Sequence, residues 1–66
     1  MEIKEVINQV KEIKKVAYDP EEAHWLEDIL YEKVLDEIAS GKCSDPKAFA
    51  KEALKTKDFY FPRWCS

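Results

Sequence analysis

Apolar residues recur with helical spacing over the first sixteen residues of the chain. They fall at intervals of three and four, which places them on one face of an α-helix and leaves the other face to charged residues. The pattern predicts a first helix over residues 2–16. Its apolar positions are Ile3, Val6, Ile7, Val10 and Ile13.

A second and longer apolar pattern follows a break at Asp19-Pro20. Asp19 is a good N-cap residue, Pro20 fits the first helical turn, and Gly41 can take the positive φ that often follows a helix end. These signals predict a second helix over residues 20–40. Because its apolar residues cover more than half of its circumference, we expect the first helix on one flank and the carboxy-terminal region on another. The apolar positions are Ala23, Trp25, Leu26, Ile29, Leu30, Tyr31, Val34, Leu35, Ile38 and Ala39.

The last third of the chain predicts a short helix and an extended tail. Asp45 or Ser44 can cap a helix that has Pro46 in its first turn, and the pattern predicts this helix over residues 45–56. Residues 57–66 have no helical period and are rich in aromatic side chains. A small domain needs such side chains to close its core, so we expect the tail to pack on the central helix. The predicted fold is a single all-α domain with three helices, spanning residues 1–66.

Length and charge limit the classes of function. A chain of 66 residues buries only about 60% of its unfolded surface, which leaves no room for a dinucleotide-binding unit or a deep cleft. The net charge of −3 argues against a generally basic nucleic-acid binder. The charge is uneven: residues 19–40 hold eight acids and one lysine, whereas residues 41–66 hold six basic residues and three acids. An acidic face that meets a basic partner is therefore an alternative to simple charge balance within the fold.

The chain begins with charged residues, and its apolar runs are far shorter than the roughly 20 residues that span a bilayer. We expect a cytoplasmic protein without a membrane association. In that compartment Cys43 and Cys65 are expected to be thiols rather than a disulfide.

Catalytic and metal chemistry are weakly supported. His24 is the only histidine, with Glu27 and Asp28 at helical spacings that allow contact. Carboxylate metal sites use such spacings, but too few further ligands are present, so His24 is expected to form a structural pair. Cys43 lacks a histidine to act as its base. We expect no catalytic residue, no bound metal, no cofactor and no enzymatic activity.

A basic face lies on the third predicted helix, at steps of four residues. A basic helix after a short turn has the outline of a DNA-recognition helix, which makes nucleic-acid or nucleotide binding the alternative function. The overall acidity favours an ordinary solvated face. Its residues are Lys47, Lys51 and Lys55.

A series of short motifs runs through residues 19–65: Ala23-His24-x-x-Glu27-Asp28-x-Leu30, then Val34-Leu35-x-x-Ile38-Ala39, Ala53-Leu54, Asp58-Phe59 and Arg63-Trp64. On these motifs, residues 19–65, which leave out the first helix, resemble short uncharacterised proteins of bacterial and phage genomes. The resemblance implies a free-standing small protein in which the acidic helix and the Arg-Trp ending form one constellation. The hypothesis that follows pairs Arg63 with Glu27 or Asp28 and packs Trp64 near His24.

These observations favour a small protein–protein interaction module, of the phage accessory or inhibitor type, that acts through the acidic helix face or the tail. A homodimer is also plausible, because a thin core gains from an interface.

Overall fold

The computed structural model describes residues 1–63, and the expectations for Trp64 and Cys65 lie outside this range. Three α-helices, α1 (Ile3–Lys15), α2 (Pro20–Ala39) and α3 (Pro46–Ala53), are followed by a 3₁₀ helix (Leu54–Asp58) and an extended segment. The described part of the chain contains no strand. The predicted all-α, three-helix class with a tail against the central helix is confirmed.

Local sequence signals set the helix ends. The carboxylate of Asp19 accepts a hydrogen bond from the Glu22 N–H (3.3 Å), and that of Asp45 accepts one from the Ala48 N–H (3.1 Å). Asp45, not Ser44, is therefore the cap of α3. Gly41 follows the end of α2 with φ of +76°, a conformation that glycine adopts without steric cost.

The end of the third helix differs from the prediction. The pattern predicted helix to residue 56 and tail from residue 57, but α-helical bonding ends at Ala53 and 3₁₀ geometry continues to Asp58. The physical reason is the burial of Thr56, whose hydroxyl donates to the Ala53 carbonyl oxygen (3.2 Å). The Phe59 N–H then donates to the Thr56 carbonyl oxygen (3.0 Å). A tightened last turn thus satisfies carbonyls that a helix end leaves free.

The hydrophobic core receives side chains from all three α-helices and from the tail. Each buried Leu, Ile or Phe stabilises the fold by about 1.5–3 kcal/mol. A domain of this size has a thin core and therefore depends on all of these side chains. The aromatic contribution of the tail is Phe61, which is as buried as the helical residues. The core members are Val6, Val10, Ile13, Ala23, Leu30, Val34, Phe49, Ala53 and Phe61.

α2 packs against both α1 and α3, as its wide apolar arc predicted. The covering is incomplete, however, because Trp25 is 59% exposed and Leu35 is 65% exposed. α3 is only eight residues long, against twenty for α2, and cannot cover the whole arc. Within residues 1–63, no helix has the length and apolarity required to cross a membrane.

Candidate functional site

A carboxylate lies in the buried stripe of α2. Glu27 falls between Ala23 and Leu30 at helical spacing, on the face that packs into the core, and only 4% of its surface is exposed. A buried charge is costly unless it is paired and hydrogen-bonded. The surroundings of Glu27 must therefore supply a cation or strong donors.

Arg63 supplies both. Its Nε donates to Oε1 of Glu27 at 2.8 Å, and its Nη2 donates to Oε2 at 3.1 Å. This two-pronged contact matches the planar guanidinium to the carboxylate, the strongest kind of side-chain pair. The pair joins positions 36 residues apart and fixes the end of the described chain on α2.

The same guanidinium organises the backbone around it. Nη2 also donates to the carbonyl oxygens of Thr56 (2.7 Å) and Phe59 (3.3 Å), and Nη1 donates to that of Phe61 (3.3 Å). The Arg63 charge lies 3.8 Å from the centre of the Phe61 ring, within the range of a cation–π contact. Residues 56–63 thus fold into a loop around one side chain.

Two hydroxyl groups complete the cluster. The hydroxyls of Tyr31 and Thr56 lie 2.6 Å apart and share a hydrogen bond, and the Tyr31 hydroxyl is 3.5 Å from Oε2 of Glu27. We call Glu27, Tyr31, Thr56 and Arg63 the C-terminal clasp. No buried side-chain nitrogen or oxygen within residues 1–63 lacks a hydrogen-bond partner.

The charges of the clasp stabilise one another. Burial alone would raise the pKa of the Glu27 carboxyl, but the hydrogen bonds from Arg63, together with the Arg63 charge, bring that pKa below its ordinary value of 4.5. The hydrogen bond to Glu27 raises the pKa of Arg63. Burial raises the pKa of the Tyr31 hydroxyl above 10.0. At neutral pH the clasp holds a carboxylate, a guanidinium and a neutral phenol.

The described residues that the sequence analysis grouped together form two separate pairs in the structure. Of the two acids considered for Arg63, the structure places Glu27 against it. Asp28 is exposed, and its Oδ1 lies 3.4 Å from Nε2 of the half-buried His24, one helical turn away. The expected place of Trp64 near His24 lies outside the described residues. His24 and Asp28 therefore form a separate surface pair.

Sequence reasoning missed Tyr31 and Thr56. The spacing of Tyr31, four residues after Glu27 on one helix, was a usable signal for Tyr31. Thr56 gave none, because its role depends on a contact 25 residues away in the chain.

The clasp joins the end of the described chain to α2. Both carboxylate oxygens of Glu27 accept hydrogen bonds from Arg63, and the hydroxyls of Tyr31 and Thr56 bond to each other. In residues 1–63 no three side chains of the His, Cys, Asp or Glu types are grouped closely enough to hold a metal ion.

The predicted basic face is distributed over two elements. Lys47 and Lys51 lie exposed on α3, whereas Lys55 lies on the 3₁₀ helix and forms an ion pair with Glu52. Two free lysines on an eight-residue helix form a small basic surface.

The uncovered part of α2 borders an open groove of about 240 Å³. We call it the α2–α3 groove. Leu35 on one side is 65% exposed and Leu54 on the other is 48% exposed. Tyr31 contributes its ring to the groove and its hydroxyl to the clasp. The lining residues are Tyr31, Val34, Leu35, Ile38, Ala50, Ala53 and Leu54.

Comparisons of the chain with protein-family models, with curated proteins and with solved structures found no match.

Proposed function

We propose that this chain is a small protein–protein interaction module that binds through the α2–α3 groove, and that its role is binding rather than catalysis. The observation that carries the proposal is the exposure of Leu35 and Leu54 on the two sides of one apolar groove. Contiguous exposed apolar surface in a small protein is typical of binding sites.

The state of the aromatic tail supports the groove over the tail as the binding surface. Phe61 is part of the core, and Arg63 is held by Glu27 and three backbone carbonyls. Binding a partner through these residues would first have to break the clasp. The groove can be occupied without that cost.

Site-specific photo-crosslinking in cells tests the proposal. A photoreactive amino acid replaces Leu35 in one variant and Tyr18, which is 85% exposed in the α1–α2 connection, in the control. We expect discrete protein adducts from position 35 and few from position 18. Equal adduct patterns, or none from position 35, would contradict a binding role for the groove.

Nucleic-acid or nucleotide binding through Lys47, Lys51 and Lys55 is the second candidate. It has the exposed Lys47 and Lys51 in its favour, while the Lys55–Glu52 pair and the net charge of −3 weaken it. Binding to duplex DNA that falls steeply with salt and is lost in Lys51→Glu would establish it. On the resemblance of the sequence to short bacterial and phage proteins, we propose an accessory or inhibitor role for the module.

A further inference from the structure

The two rims of the α2–α3 groove carry opposite charges. Asp28 and Glu32 are one turn apart on α2, and helical spacing places them beside Tyr31 and Leu35, on the side away from the core. Asp28 is paired with His24, and Glu32 is exposed. The first rim of the groove is therefore negative.

The second rim is positive. Lys47 and Lys51 are one turn apart on α3, and each precedes a groove residue, Ala50 or Leu54, by three positions. Both lysines are exposed, as is Glu32 across the groove. Within residues 1–63, none of these three side chains takes part in an ion pair.

Opposite rims discriminate among occupants. A basic helix laid in the groove would meet the lysines, and an acidic helix would meet the carboxylates, so each gains at one rim and loses at the other. A second copy of this chain brings both charges in the correct places. A twofold axis parallel to the groove sets α2 of each copy against α3 of the other, so that acidic rims face basic rims and Leu35 faces Leu54. A twofold axis across the groove would set acid against acid.

We propose that the α2–α3 groove binds a second copy of this chain in a twofold homodimer. This inference rests on the proposed function, since it names the partner of the same surface. Stable interfaces bury upward of about 600 Å² per copy. That is roughly an eighth of the 4837 Å² surface of one chain. Interfaces at this low end of the size range are typical of weak, transient complexes, so we expect a weak dimer.

Sedimentation equilibrium of the purified full chain measures the association. Samples from about 10 µM to about 1 mM bracket the affinity of such an interface. We expect the average mass to rise from 7.8 kDa towards twice that value, and the rise to disappear in Leu35→Lys. A mass of 7.8 kDa at every concentration would overturn the proposal.

Charge exchange tests the twofold geometry without touching the apolar lining. We expect Glu32→Lys and Lys51→Glu each to weaken association at least fivefold, and the double variant to recover most of the loss. Lys11→Glu, an exposed reversal on α1, is the matched control and should leave association unchanged. A double variant that associates no better than either single variant would overturn the proposed docking.

The two proposals fail differently. If the purified chain stays monomeric while position 35 crosslinks to another protein in cells, the homodimer is wrong and the interaction module stands. If the purified chain is monomeric and position 35 yields no adduct, both are wrong.

Discussion

Glu27 and Leu35 lie about two turns apart on the same helix, and their surroundings are opposite in character. Glu27 is a charged residue that the fold buries, with both of its carboxylate oxygens hydrogen-bonded to Arg63. Leu35 is an apolar residue that the fold leaves 65% exposed. The polar region is closed, and the apolar region is open. The comparison teaches that α2 uses its polar site to hold the tail and leaves part of its apolar flank uncovered.

Removing the cation should have the largest effect on stability. Arg63→Ala leaves the buried Glu27 carboxylate without its partner, and we expect a loss of about 3 kcal/mol in the free energy of unfolding. Urea unfolding measures it. Lys57→Ala, at an exposed lysine of the neighbouring 3₁₀ helix, is the control and should change stability by less than about 0.5 kcal/mol. Equal effects of the two substitutions would show that the clasp contributes no more to the free energy of unfolding than an exposed lysine does.

Neutralising the acid should have a smaller effect that depends on pH. Glu27→Gln keeps the shape but loses the charged hydrogen bonds, and we expect a loss of about 1.5–3 kcal/mol at pH 7. Because the pKa of Glu27 is lowered in the folded state, its stabilising contribution is present above pH 4.5 and is lost as pH falls through the folded-state pKa. The difference between wild type and variant should therefore shrink from pH 6 to pH 3. A difference that stays constant over this range would contradict the assignment.

Removing one hydroxyl should have a still smaller effect. Tyr31→Phe keeps the ring in the groove but removes the partner of Thr56 in a 2.6 Å hydrogen bond. We expect a loss of about 1 kcal/mol, measured by thermal and urea unfolding. Tyr60→Phe, at a tail residue that is 85% exposed, is the matched control and should be neutral. A neutral Tyr31→Phe would place the hydroxyl outside the stabilising network.

Substitution of an exposed residue of the groove should have the smallest effect on the free energy of unfolding. Leu35→Ala is expected to change the free energy of unfolding by no more than about 0.5 kcal/mol, because the side chain is largely in water. Substitution of its buried neighbour Val34 by alanine should lower the free energy of unfolding by about 2 kcal/mol, because it leaves a cavity. A large loss at Leu35 would mean that it holds the fold, and the contrast with Glu27 would disappear.

The sequence was most informative where structure is local. The starts of α2 and α3 were predictable because Asp19 and Asp45 cap their own helices, and the end of α2 because Gly41 follows it. The pairing of Arg63 with Glu27 or Asp28 was implied by the resemblance to short bacterial and phage proteins, and the structure places Glu27, not Asp28, against Arg63.

Non-local contacts account for what the sequence did not reveal. The 3₁₀ helix depends on Thr56, which is held by Tyr31 from 25 residues earlier in the chain and by Arg63 from seven residues later. The wide apolar arc of α2 was visible, but which part stays uncovered depends on the length of α3 and on how it packs. The position of the groove could therefore not be predicted from hydrophobic periodicity alone.

Amide NMR spectra recorded at increasing concentration test most directly whether the groove binds and the clasp only holds the fold. We expect concentration-dependent shifts at the groove residues Leu35, Ile38, Ala50 and Leu54, with the amides of Glu27 and Thr56 unchanged. Shifts concentrated at the clasp, with the groove amides unaffected, would contradict this division of α2.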